Sequence, residues 1–105
     1  MISALRLLFV HGPEDAVWRA GFELAQAAAA LDVPLELAFA GPGLELITTQ
    51  RDCARNFASL ELLGVDQVRI ETAPQGAASK LALPVQQLSA LQWQAWLRAA
   101  PLQVW

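Results

Sequence analysis

Leu5-Arg6-Leu7-Leu8-Phe9-Val10-His11-Gly12-Pro13 decides how this chain reads: apolar residues around a single arginine, a turn, and then an alanine-rich stretch running to Leu31. Near-continuous apolarity marks a strand covered on both faces, and a strand that enters a helix through a short Gly-Pro loop opens an α/β unit. Pro13, with Glu14 and Asp15 behind it, marks the helix start, where acids oppose the positive end of the helix dipole. At helical spacing Val17, Ala20, Leu24, Ala28 and Leu31 form one stripe, and Trp18, Phe22, Ala25 and Ala29 form a second beside it. So wide an apolar arc exceeds what one sheet face needs. The Trp18/Phe22 flank is therefore expected to meet another helix of this chain or another subunit.

The alternation continues outward from this unit. A second strand is expected from Pro34 or Leu35 to Ala40, with Glu36 wetting one face, and Gly41-Pro42-Gly43 turns the chain. That turn lacks the Gly-Lys-Ser/Thr ending of a Walker loop. Leu44 to Gln50 has room for one helical turn, and a helix follows from about Arg51 to Leu63, with Asp52 as a candidate cap and Gly64 closing it. Cys53, Phe57 and Leu60 share its buried face, while Arg51, Arg55 and Ser59 point away. A third strand spans Gln67 to Thr72 and a loop runs from Ala73 to Lys80. A fourth strand is expected from Leu81 to Val85, confined to a strand end or an edge by Pro84. Ser89-Ala90-Leu91-Gln92 is a capping box opening a last helix to Ala99 or Ala100. Leu88, Leu91, Ala95 and Ala99 face one side of it, and Trp93 and Leu97 nearly the other. Leu102 to Trp105 reads as a fifth strand. The expectation is one domain over residues 1–105: a three-layer α/β sandwich with a five-stranded, mostly parallel sheet and helices on both faces. Strand order stays open.

Composition narrows the function. A chain of 105 residues has room for one core. It is 55% hydrophobic and 16% charged, yet no apolar run approaches the roughly 18 residues that span a bilayer. No leader pattern follows Arg6, and one cysteine, Cys53, suits a reducing cytoplasm. A net charge of −3 with scattered cations argues against direct contact with nucleic acid. With His11 the only histidine, no Cys-x-x-Cys and no Gly-x-Ser-x-Gly, the chain presents no metal, cofactor or serine-nucleophile motif. In open α/β sheets ligands gather at strand carboxyl ends, which makes His11, Gly12, Gly41, Gly43 and Thr72 the candidate ligand-binding residues. His11 reads either as a lone acid or base, with Glu71 across the sheet, or as a loop histidine bonded to backbone. Cys53 reads either as a small core hydrophobe or as a reactive thiol. From Thr72 to the end the only charges are Lys80 and Arg98, and the same segment holds Trp93, Trp96 and Trp105. Such a surface is poorly solvated and points to a protein partner, with Trp18, Phe22, Trp93, Trp96 and Leu97 as the expected interface.

The opening strand, the small-residue helix, the second strand closed by glycine and the junction from Asn56-Phe57-Ala58-Ser59-Leu60 through Gly64-Val65-Asp66 to Ile70 resemble the DsrE/DsrF/DsrH superfamily. Its members include the TusB, TusC and TusD sulfur-relay subunits. The junction is most similar to the DsrF/TusC branch, and the closing helix and short strand ending in Trp105 are similar to the DsrH/TusB branch. The resemblance implies a part in sulfur trafficking, as in tRNA thiolation, with homo- or hetero-oligomeric assembly. It also implies that a catalytic member carries a persulfide on a cysteine in the loop after the third strand. Here that loop, Thr72 to Ser79, has no cysteine. A non-catalytic, oligomer-forming subunit is the resulting expectation. The alternatives are a sulfurtransferase using Cys53 and a small-ligand- or nucleotide-binding domain.

Overall fold

The computed structural model describes residues 4–71 and 80–105. Its elements follow one another as β1 (Leu5–Phe9), α1 (Val17–Ala30), β2 (Leu35–Phe39), a 3₁₀ helix (Gly41–Ile47), α2 (Ala54–Leu62), β3 (Val68–Ile70), β4 (Gln86–Gln87), α3 (Ala90–Ala99) and β5 (Gln103–Val104). The strands form one sheet in the order β4-β3-β2-β1-β5, and every neighbouring pair is parallel. The chain steps from β1 toward one edge, then returns through α3 to place β5 on the far side of β1.

Residue alternation along the strands sorts the layers. Leu7 and Phe9 of β1, Leu37 and Phe39 of β2, and Val68 and Ile70 of β3 point to one face, where α1, α2 and the 3₁₀ helix cover them. Leu8 and Ala38 point to the other, where Leu88, Trp93 and Trp96 cover them. The larger core centres on Phe57 of α2, whose ring lies 5.2 to 5.7 Å from those of Phe9, Phe39, Trp18 and Phe22. Aromatic rings meeting edge to face at this spacing gain from their quadrupoles as well as from burial. The expected three-layer sandwich with a parallel five-stranded sheet is the observed fold.

Several local expectations need correction. α1 becomes regular only at Val17; before it, Asp15 Oδ1 accepts a hydrogen bond from the Val17 N–H at 3.1 Å. Asp52 does not cap α2, whose N-cap position is Cys53 without a side-chain cap bond. Leu81 to Val85 is not the fourth strand. Leu81 makes an isolated antiparallel bridge to Thr48, and the Ala82 N–H donates to the Ile47 carbonyl at 2.7 Å. The main sheet is joined only at Gln86, beyond Pro84, which has no N–H to offer a ladder. Ser89 and Gln92 do form the capping box of α3.

The aromatic flanks lie inside the chain. Trp18, Phe22, Trp93 and Trp96 are all buried within the chain, and so do not form an exposed interface. The Trp18/Phe22 flank meets α2 of the same chain through Phe57. On α3 the tryptophan face turns inward and leaves Leu91, Ala95 and Ala99 in solvent, with Leu97 partly buried at the margin. Two indoles three residues apart bury more apolar area than a leucine and two alanines, and the small Ala38 beneath gives them room.

Candidate functional site

The carboxyl ends of β1 and β2 bring four of the sequence-predicted site residues together. The β1–α1 loop carries His11 and Gly12, and the turn after β2 carries Gly41 and Gly43. A β-carbon on Gly12 would stand 3.5 Å from the Pro42 carbonyl oxygen and 3.2 Å from Glu14 Oε2, so the two loops touch. His11 is exposed, and its backbone N–H donates to the Trp105 carbonyl at 3.3 Å. No imidazole hydrogen bond and no contact with Glu71 is seen among the described residues; the Glu71 carbonyl instead accepts from Gln87 Nε2 at 3.3 Å. Thr72 lies outside the described residues, as does the loop to Ser79.

Gly43 has a structural duty there. A β-carbon on it would fall 2.0 Å from the Phe9 carbonyl oxygen, because the 3₁₀ turn is pressed against the end of β1. The Ala40 N–H donates to that same Phe9 oxygen at 3.0 Å, and the Gly43 N–H donates to the Ala40 carbonyl at 3.0 Å. The glycine turn thus closes backbone on backbone. Its N–H is occupied and is not free to cradle an anion.

Arg51 ties the loops over this end. Its guanidinium lies 2.9 Å from Glu45 and 3.6 Å from Glu14, and the Glu45 hydrogen bond, followed by the charges of both carboxylates, holds it further above its ordinary pKa. Behind it, Cys53 is buried, and its thiol donates to the Leu46 carbonyl with the sulfur 3.4 Å from the oxygen. Burial pushes the thiol pKa up; the backbone hydrogen bond and Arg51 pull the other way more weakly. A nucleophilic thiol needs the thiolate, exposure and a dominant nearby cation. Cys53 has instead the surroundings of a core residue. It does border a groove of about 410 Å³ together with Arg19, Arg51 and Asn56.

On the opposite sheet face lies a polar arrangement that sequence reasoning missed. Arg6 of β1 is buried and its guanidinium donates to the carbonyls of Trp96 and Ala100, which end α3. It also lies over the Trp96 ring, 4.2 Å from the centroid. A cation at a helix carboxyl end is favoured by the dipole and by the unpaired terminal carbonyls. Glu36 accepts from Trp96 Nε1 at 2.9 Å and pairs with Arg69 at 3.3 Å. The signal was available: Arg6 and Glu36 sit at the same alternation as Leu8 and Ala38, and they are register partners. A charge at that position in two neighbouring parallel strands implies a polar clamp for whatever covers the face.

At the amino ends of the strands, the α1–β2 and α2–β3 turns frame a groove of about 470 Å³. Ala29, Val33, Leu35 and Val65 supply its apolar lining, with Asp32 and Asp66 also on its walls. Among the described residues the large apolar side chains most exposed to solvent are Leu31, Leu62 and Leu91, each more than three-quarters exposed, with Val104 of β5 more than half exposed. Among the described residues no group of three or more potential metal ligands occurs, and no helix is long and apolar enough to cross a membrane. No protein-family model matches the chain, and no curated protein matches it.

Proposed function

We propose that this chain is a non-catalytic, oligomer-forming subunit of a DsrE/F-like sulfur-relay assembly in the cytoplasm, one that contributes surface while another chain carries the sulfur. The observation that carries the reading is Cys53. It is the only cysteine of the chain, and it is buried, with its pKa pushed up by burial and its thiol bonded to the Leu46 carbonyl. Sulfur transfer needs a thiolate that attacks and is then attacked, and burial with a raised pKa works against both steps. Support for a partner role comes from the exposed leucines Leu31, Leu62 and Leu91, since the tryptophans are already spent inside.

The groove beside Cys53, with Arg19 and Arg51 on its walls, favours the rival reading, a sulfurtransferase that opens there. One experiment separates the two. The protein is incubated with a cysteine desulfurase and free cysteine, and intact mass is followed alongside light scattering. The expected result is no added sulfur on the native chain and a scattering mass above the 11.4 kDa of one copy, alone or with co-purified protein. Stoichiometric persulfide on Cys53, or a strict monomer that captures nothing, contradicts the proposal.

A further inference from the structure

The charges of this chain are divided in space. All ten carboxylates precede Thr72, and only Lys80 and Arg98 carry charge after it. The acidic part has a focus in the groove between the α1–β2 and α2–β3 turns. Asp32 and Asp66 line it and make no ion pair among the described residues, whereas Arg69, also in its lining, is held by Glu36 and Gln67. Two helices end there, and neither α1 nor α2 has a basic residue in its last turn. Their carboxyl-terminal dipoles therefore add to the negative potential. Buried apolar residues such as Ala29, Leu35 and Val65 lie among the polar residues that line it, and Leu31 and Leu62 stand exposed on the adjoining helix ends.

The outer face of α3 has the opposite character. Leu91, Ala95 and Arg98 recur at i, i+4 and i+7, so they share one exposed stripe. Arg98 makes no ion pair among the described residues, and Leu91 is 84% exposed. α3 lies on the sheet face opposite α1 and α2, so one copy cannot bring stripe and groove together.

We propose that the Leu91-Ala95-Arg98 face of α3 docks into the Asp32/Asp66 groove of a second copy of this chain. The inference rests on the oligomer-forming reading above and names the surface and the partner. The leucine packs against the exposed Leu31 and Leu62 beside the groove, and the guanidinium meets two carboxylates and two helix ends. The apolar contact supplies most of the affinity, and the charges set orientation and exclude other registers. Because each copy uses different surfaces, the contact is head to tail and propagates into a ring or a filament.

Sedimentation velocity on the full chain over a concentration series tests this. The wild type should associate, and added salt should weaken it. Arg98→Asp, and separately Asp32→Lys with Asp66→Lys, should each weaken association at least 10-fold by placing like charges in contact. Mixing the two variants should restore it, since each then offers the other a complementary surface. Leu91→Asp, at an exposed position that leaves the core untouched, should abolish association by itself. Unchanged association in every variant overturns the docking mode while leaving the subunit reading intact. A wild type that stays monomeric throughout overturns self-docking, and the subunit reading then stands or falls on capture of a different protein.

Discussion

Replacing Phe57 by alanine is expected to cost about 3 to 5 kcal/mol, the range for deleting a buried phenylalanine from a core that cannot collapse around the gap. The side chain is fully buried and its ring touches four others drawn from β1, β2 and α1. No single neighbour can fill a space bordered by three elements. A domain of this size has a total stability of about 5 to 15 kcal/mol, so the variant should lie near the edge of folding, with its melting temperature lowered by roughly 12 °C or more. Chemical denaturation read by tryptophan fluorescence measures the loss. Leu62→Ala is the internal reference: that side chain is 89% exposed, and its removal should stay within about 0.5 kcal/mol. A Phe57→Ala loss below about 1 kcal/mol would mean that α1 and α2 do not meet over the sheet as described.

Gly43→Ala should be as damaging, for a different reason. The new methyl would stand 2.0 Å from the Phe9 carbonyl oxygen and 2.5 Å from its carbon, and main-chain atoms in a central strand have no alternative rotamer. The turn must lift off β1, breaking the Ala40 hydrogen bond to Phe9. The expected loss is about 3 kcal/mol or more, at the top of the range for overpacking. Gly41→Asn provides the contrast. Gly41 has φ +53° with open space where a β-carbon would go, a conformation that asparagine tolerates, so that variant should lose less than about 1 kcal/mol. Equal behaviour of the two would mean that the turn is not pressed against β1.

The parallel sheet was legible because its information is local. The apolar run of β1, the small-residue helix after it and the glycine after α2 each have one reading in terms of period and backbone conformation, and Gly64 does adopt a positive φ. The buried face of Cys53, Phe57 and Leu60 followed from spacing alone. Strand order was not legible, since it depends on which sheet edge each crossover reaches, and both edges suit the same alternation of elements. The placement of β4 was misjudged because Leu81 to Val85 is more strand-like in composition than Gln86-Gln87, yet Pro84 withholds a ladder hydrogen bond. The inward turn of Trp93 and Trp96 was hidden for another reason: it depends on Glu36 and Arg6, more than fifty residues away in sequence, receiving the indole N–H and stacking on the ring.

Of the candidate site residues, His11, Gly12, Gly41 and Gly43 do converge at the carboxyl ends of β1 and β2, as the open-sheet rule leads one to expect. Their contacts are those of a closed turn. The aromatic interface expected from composition is buried; the large apolar side chains most exposed among the described residues are Leu31, Leu62 and Leu91. Tryptophan and phenylalanine bury the most area per residue, so the core claims them first.

The state of the Cys53 thiol decides between a surface-contributing subunit and a sulfur carrier. Burial raises its pKa, so the folded protein holds this proton more tightly than the unfolded chain does. That difference stabilises the fold below the thiol's ordinary pKa, and the contribution is lost as pH rises through the raised value. The direct measurement is the rate of alkylation of native protein by iodoacetamide at neutral pH, followed by intact mass and repeated across a denaturant series. The account predicts labelling far slower than that of an unfolded chain, accelerating only as denaturant opens the fold. Rapid stoichiometric labelling of the native protein, insensitive to denaturant, would contradict it.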